Sequence, residues 1–364
     1  MGDVFIAGVG ITQFGPGSAS IADLVHEAVR DALADADLPT RDVGAVFIGY
    51  TGAGLVSPGD ALFVRLGLRR AGLRAGPRAR IEHVSASGAR ALHLAWRAIE
   101  MGIDDVVVCV GAEHAYPYSG SGDGFAALLH RRAEVAREYM TMSGATVEQL
   151  ARTAVKNHRH GARNPHATAA EVLVGTVLES DVVAWPLTRL MVAMRGQGAA
   201  AVVLASPRAR RRVAGPRPRI RASVLGTSPE PNGDPAEMAG LAYRTAGIGP
   251  EDVDCAELND ATAAAELAAY EALQFIAAGH GPELIDAGYT ALGGVLPVNT
   301  SGGLLSLGEL DGASGIAQVC ELTDQLRNRA GSRQVPGARV ALAQSSGPAE
   351  DGSRVVGLTV LSAA

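Results

Sequence analysis

Ile81-Glu82-His83-Val84-Ser85-Ala86-Ser87-Gly88-Ala89-Arg90-Ala91-Leu92 reads as a strand, a tight turn and the start of a helix. Leu92, Ala95, Trp96 and Ile99 recur at helical spacing and predict one buried face. This is the shape of a nucleophile turn, and Ser85 stands at its corner. A thiol, with an ordinary pKa of about 8.5, is partly ionised at neutral pH, whereas a serine hydroxyl becomes nucleophilic only beside a strong base. Ser85 is therefore a candidate nucleophile, a pocket hydroxyl, or simply a small residue the turn tolerates. His83 lies two residues earlier, and alternate strand residues share a face, so it is expected either in the same pocket or as a structural histidine.

Working outward, residues 4–9, 45–49, 79–84 and 105–110 are short β-branched runs separated by helical patterns at 21–33 and 90–101. Such alternation implies helices packed on a central sheet. After 200–205 comes a basic, proline-interrupted connector, Pro207-Arg208-Ala209-Arg210-Arg211-Arg212 to Pro216-Arg217-Pro218-Arg219. The scheme then repeats, with strands at 220–225, 254–258, 340–343 and 355–361 and helices at 236–246 and 261–277. The expected organisation is an N-terminal half at 1–206, a linker at 207–219 and a C-terminal half at 220–364. Residues from about 113 to 190 fit neither half and read as an insertion.

The 364 residues, 47% hydrophobic, suffice for two packed units. No apolar run reaches the roughly 18 residues of a spanning helix, and the N-terminus reads as a first strand, so a cytoplasmic location is expected. A net charge of −6 argues against nonspecific nucleic-acid binding. Cys109, Cys255 and Cys320 are widely spaced, show no metal-site pattern and are expected to be reduced. No metal and no bound cofactor are expected.

Three further blocks follow in order: Ala256-Glu257-Leu258-Asn259-Asp260-Ala261; Asn299-Thr300-Ser301-Gly302-Gly303 with Gly308-Glu309-Leu310 and Gln325-Leu326-Arg327 behind it; and Gln344-Ser345-Ser346-Gly347-Pro348. Together with the turn at Ser85 they resemble the thiolase superfamily. Glu148-Gln149-Leu150-Ala151 to Val155-Lys156-Asn157-His158, and Pro186-Leu187-Thr188, are similar to its sterol-carrier-protein-X or lipid-transfer type. The resemblance implies an α/β thiolase fold: two similar βαβαβαββ-type halves in a five-layered αβαβα arrangement, with an inserted loop domain over the acyl channel.

The same resemblance places the chemistry. Thiolases carry a cysteine at Ser85, a histidine at Glu309 and a second cysteine in the loop here spanning 344–352, so this chain lacks all three. Asn259 matches the asparagine that holds a water in the oxyanion site, and is expected either to line the active site or to cap a turn. Glu309 is a candidate general base, provided burial raises its pKa toward neutrality, or else a capping carboxylate. The catalytic candidates are thus Ser85, Glu309 and Asn259, with His83, His114, Gly303 and Ser346 expected to bind substrate. Tyr116, Tyr118, Tyr243 and Tyr289 are candidate proton carriers or else packing or surface residues. Arg131, Arg132 and the cluster from Arg208 to Arg212 are candidates to meet coenzyme A phosphates, that cluster being otherwise a solvated connector.

Loss of the cysteine chemistry makes the thiolase-like retro-aldolases the relevant relatives; these pair with a small OB-fold partner. The implied activity is making or cleaving a carbon–carbon bond at an acyl thioester, carried by coenzyme A or a carrier protein. The competing expectation is a silent subunit that scaffolds an active partner. A homodimer or heterodimer is expected through the edge near 79–84.

Overall fold

The computed structural model describes residues 2–50, 59–73, 77–81, 86–114, 123–210, 215–228, 235–348 and 354–363. His83, Ser85, Tyr116 and Tyr118 lie outside the described residues.

The first half contains β1 (Val4–Ile11), α1 (Ile21–Ala36), β2 (Ala45–Tyr50), α2 (Gly59–Arg70), β3 (Pro77–Ile81), α3 (Ser87–Glu100) and β4 (Val106–Glu113). Between β4 and the next strand of the main sheet lie α4 (Asp123–Ser143), α5 (Val147–Gly161), α6 (Val174–Glu179), β5 (Val182–Ala184) and β6 (Leu187–Thr188). The chain continues through β7 (Gly198–Ala205), α7 (Pro207–Arg210), β8 (Arg219–Ser228), α8 (Pro235–Ala246), β9 (Cys255–Glu257), α9 (Ala263–Ala272) and α10 (Gly281–Asp286). It closes with α11 (Gly303–Leu307), α12 (Ser314–Leu326), β10 (Val340–Pro348) and β11 (Arg354–Ser362).

All the main strands form one nine-stranded sheet in the order β3-β2-β4-β7-β1-β8-β11-β10-β9. Counted within each half, the order runs 3-2-4-5-1 and then 1-5-4-2, with an isolated parallel bridge from Ala256 to Val298 where a third strand of the second half would stand. The duplication is thus written in the strand order. The two half-sheets expected from sequence are hydrogen-bonded to each other through a short antiparallel join, Val4 with Ile220 and Phe5 with Arg219. Arg219, expected to end a linker, is therefore already part of the sheet.

Helices α3 and α12 touch each other and strands of both halves, so their apolar faces share one core. Leu92, Ala95 and Trp96 meet Ile316, Val319 and Leu322 there, beside the three cysteines. Helix α1 covers the outer side of the first half-sheet and α8 that of the second. The result is five layers, α1, sheet, α3 with α12, sheet, α8. The inserted helices α4 and α5 pack on α9, and α5 also on α11.

The mouth of α3 is fixed by backbone contact. Ala86, the residue before the helix, has a left-handed φ of 57°, a conformation costly for a residue with a Cβ. Gly88 donates its amide to the Asp311 carbonyl at 3.3 Å. Gly49, Gly88, Gly111 and Gly312 cross here with no room for side chains. A Cβ on Gly111 would lie 1.8 Å from the Gly312 oxygen, and one on Gly88 2.6 Å from the same atom.

Candidate active site

Asn259 and Ser346 come together as the motifs require. Asn259 follows β9, and its backbone N–H donates to Gln344 Oε1 at 2.9 Å while its Nδ2 donates to the Ser346 carbonyl at 3.0 Å. The stretch 344–348, whose register the sequence leaves open, is strand and pairs with β11 as far as Pro348 opposite Arg354. Alternate residues of a strand share a face, so Gln344 and Ser346 both line one cavity of about 90 Å3 with Asn259. Alanines of α9 form its apolar wall, and Val135 and Tyr139 of α4 close it. The insertion therefore contributes to the site.

Glu309 is tied to the same face of α4. Arg132, Val135 and Tyr139 recur at i, i+3 and i+7 and so share that face. Arg132 Nη2 lies 2.6 Å from both Glu309 carboxylate oxygens, and Arg195 pairs with Asp311 at 2.7 Å. Burial alone would push Glu309 up, but the Arg132 and Arg195 guanidiniums outweigh it and hold the carboxyl below its usual range. The upward shift that a general base would require is absent. Asp311 moves the other way: burial raises it, Arg195 opposes, and the neighbouring Glu309 charge adds to the rise. Arg132, a candidate to meet coenzyme A phosphates, is the counter-ion of Glu309.

The other candidates occupy different ground. His114 is half-buried at the end of β4, next to Glu113, whose carboxylate accepts from the Gly312 amide at 3.2 Å; it does not line the Asn259 cavity. Gly303 is buried at the start of α11 with φ +63°, and a Cβ there would fall 2.2 Å from Asp260 Oδ2. Its glycine is needed for the close approach of Asp260, which caps α11 through the amides of Leu304 and Leu305. Gly303 thus belongs to a buried polar network and not to the cavity. In that network Asn157 donates to Asp260, Lys156 pairs with Glu266 at 2.6 Å, and Asn299 donates to Glu266 at 2.8 Å. Burial and the Glu266 charge push Asp260 up to about 7. Glu257, beside Ser301 and Glu321, is pushed up to about 8 by burial and then by Glu321. Tyr243 donates to the Leu273 carbonyl within the core and does not reach the site.

All three cysteines are buried, with thiols raised by desolvation. Among the described residues no cluster of His, Cys, Asp and Glu could hold a metal ion, and no helix is long and apolar enough to cross a membrane.

This combination, a duplicated sheet with two helices between its halves and an insertion closing a pocket over the Asn259 and 344–346 motifs, defines the thiolase class. The thiolase N-terminal domain matches residues 4–121 and the thiolase C-terminal domain-like family residues 229–356. The chain belongs to the thiolase family. It is 34% identical over 371 residues to the benzoylsuccinyl-CoA thiolase subunit BbsB of Thauera aromatica, covering 94% of each chain. It is 32% identical to sterol carrier protein 2 of Bos taurus, covering 94% of this chain and 70% of that one. Among solved structures, the Ltp2-ChsH2(DUF35) aldolase superposes with a TM-score of 0.82 at 25% identity, covering 99% of this chain and 98% of the other. Human mitochondrial 3-ketoacyl-CoA thiolase shares the fold, with a TM-score of 0.76 at 18% identity and 99% of both chains covered.

Proposed function

We propose that this protein acts on an acyl thioester, of coenzyme A or of a carrier protein, and makes or cleaves a carbon–carbon bond without a cysteine nucleophile. The observation that carries this reading is the placement of sulfur: every thiol is sealed in the core, while Asn259 and Ser346 stand at a cavity. Likeness to the Ltp2-ChsH2(DUF35) aldolase favours retro-aldol chemistry over thiolysis. In that reaction a β-hydroxyacyl thioester loses its hydroxyl proton and the Cα–Cβ bond breaks. The β-carbon leaves as a carbonyl compound, and the electron pair stays on Cα as a thioester enolate, which is then protonated. One Asn259 Nδ2 hydrogen goes to Ser346; the second has no partner among the described residues and is suited to the enolate oxygen. Glu309, held anionic, fixes Arg132 on the α4 face that carries Val135 and Tyr139 to the cavity. Ser85 is proposed as a hydroxyl of the same site, with His83 and His114 at its margin. No cofactor beyond the thioester carrier is needed.

We further propose a cytoplasmic protein that pairs through β3, the outer edge of the sheet, with a second copy or a related subunit, and that takes a small OB-fold partner. An edge strand left open is an aggregation hazard that pairing removes. The second reading, a silent subunit, draws support from the neutralisation of Glu309 by Arg132.

Incubating the protein, alone and with its partner, with β-hydroxyacyl-CoA thioesters and following products by mass spectrometry tests these readings. Retro-aldol cleavage gives a carbonyl product and a shortened thioester, and no ester on the tryptic peptide containing Ser85. A stable ester there would replace it with acyl transfer. Activity of the complex that survives Ser85→Ala combined with Asn259→Ala would leave the scaffold reading.

A further inference from the structure

The cavity beside Asn259 holds a positive charge that has no counter-ion among the described residues. Arg354 opens β11, its backbone opposite Pro348 and Ser228, and its side chain forms part of the cavity wall with Tyr139 and the α9 alanines. Among the described residues nothing hydrogen-bonds or ion-pairs with its guanidinium, and no residue lining the cavity is acidic. Four other arginines meet carboxylates: Arg132 meets Glu309, Arg195 meets Asp311, Arg327 meets Asp35 and Arg333 meets Glu321. Burial lowers the Arg354 pKa, with no opposing partner among the described residues. A cation facing apolar walls is costly unless it is paired. The planar guanidinium fork matches a carboxylate bidentately. At about 90 Å3 the cavity takes only a short arm.

We infer that Arg354 determines specificity by receiving a carboxylate on the acyl group, which makes the substrate class a short thioester of a dicarboxylic acid. Arg354 then grips the distal carboxylate while the Asn259 amide faces the thioester end. This assignment rests on the acyl-thioester reading above and narrows it.

The test is calorimetric titration of the full chain with succinyl-CoA and with butyryl-CoA, which match in chain length and differ in the terminal carboxylate. The wild type should bind succinyl-CoA about 10- to 100-fold more tightly, the range of a charge-assisted hydrogen bond. Arg354→Met should bring that ratio to about one, and Arg354→Lys should retain part of it. Unliganded Arg354→Met should melt no lower than the wild type, because an unpaired charge has been removed. Measurable but equal wild-type affinities would overturn the carboxylate assignment and leave the thioester reading standing; no binding of either would take down both. If Arg354→Met weakens both CoA thioesters alike and leaves succinyl- and butyryl-pantetheine untouched, Arg354 serves a coenzyme phosphate and the assignment fails. A variant melting well below the wild type would make Arg354 a packing residue, and the assignment would fail in that case too.

Discussion

Replacing Glu309 by Gln, Arg132 by Met, and both together asks whether the ion pair between α4 and the segment before α12 anchors the insertion. Both Glu309 oxygens lie 2.6 Å from Arg132 Nη2, and the side chains are only 7% and 13% exposed. Removing one partner strands the other in a buried site, which costs about 3–5 kcal/mol. Arg195 still faces Glu309 and Asp311 still faces the arginines, so each single change is expected near the lower end, about 3 kcal/mol. Two unit charges about 4 Å apart attract by about 4 kcal/mol at an effective dielectric of about 20. The double variant should therefore cost about 2–4 kcal/mol less than the sum of the singles. Urea unfolding of all four proteins at pH 7 measures this. Because the folded carboxyl sits below its unfolded value, the coupling is whole above the ordinary carboxylate range and disappears as pH falls through the depressed folded value. It should persist at pH 5 and shrink below about pH 4. Additivity within about 0.5 kcal/mol, or a stabilising Glu309→Gln, would refute the anchoring argument. The same variants judge the chemistry. An anchor predicts similar modest losses of turnover for Glu309→Gln and Arg132→Met, whereas a general base predicts a selective loss of about 10²–10⁴ for Glu309→Gln and an acid limb in the rate profile.

Asn259→Ala should lower turnover by about 10²–10³ and stability by about 1 kcal/mol, measured by steady-state kinetics and urea unfolding. Gly303→Ala puts a Cβ against Asp260 in a left-handed conformation and should cost at least about 1–3 kcal/mol, seen as a lower melting temperature or lost soluble yield. Glu257 and Asp260 are raised to about 8 and about 7, so the folded state keeps protons that the unfolded state has released. Stability should fall as pH rises from about 5 to 8, by at most about 1.4 kcal/mol per pH unit for each group, and Glu257→Gln should flatten that slope in denaturation curves. Iodoacetamide at pH 8 should leave Cys109, Cys255 and Cys320 unlabelled in the native protein and activity intact, with labelling appearing only in urea.

Much of this architecture is readable from residue patterns because the elements are local. The β-branched runs at 4–9 and 105–110 and the apolar face of Leu92, Ala95, Trp96 and Ile99 each bury one side, and that periodicity is written in the chain. Asn259 and Ser346 are also recoverable, since each falls in an ordered block. The Glu309 partnership is not: Arg132 is 177 positions away, and a carboxylate carries no local mark of its counter-ion. Residues 344–348 read as a loop because the thiolase resemblance places one there, yet the valine-rich β11 draws them into a ladder. Gly303, expected to bind substrate, is a glycine because Asp260 approaches it.

The crossing of Gly49, Gly88, Gly111 and Gly312 separates location from chemistry. The close contacts here are with main-chain atoms, so side-chain exchanges in the surrounding motifs leave the joint undisturbed, while one carbon added at Gly88, Gly111 or Gly312 would prise the halves apart and one at Gly49 would push β2 off α3. A joint of this kind holds the relative position of the two halves without calling on any side chain, so the residues around it can vary while the halves stay in register.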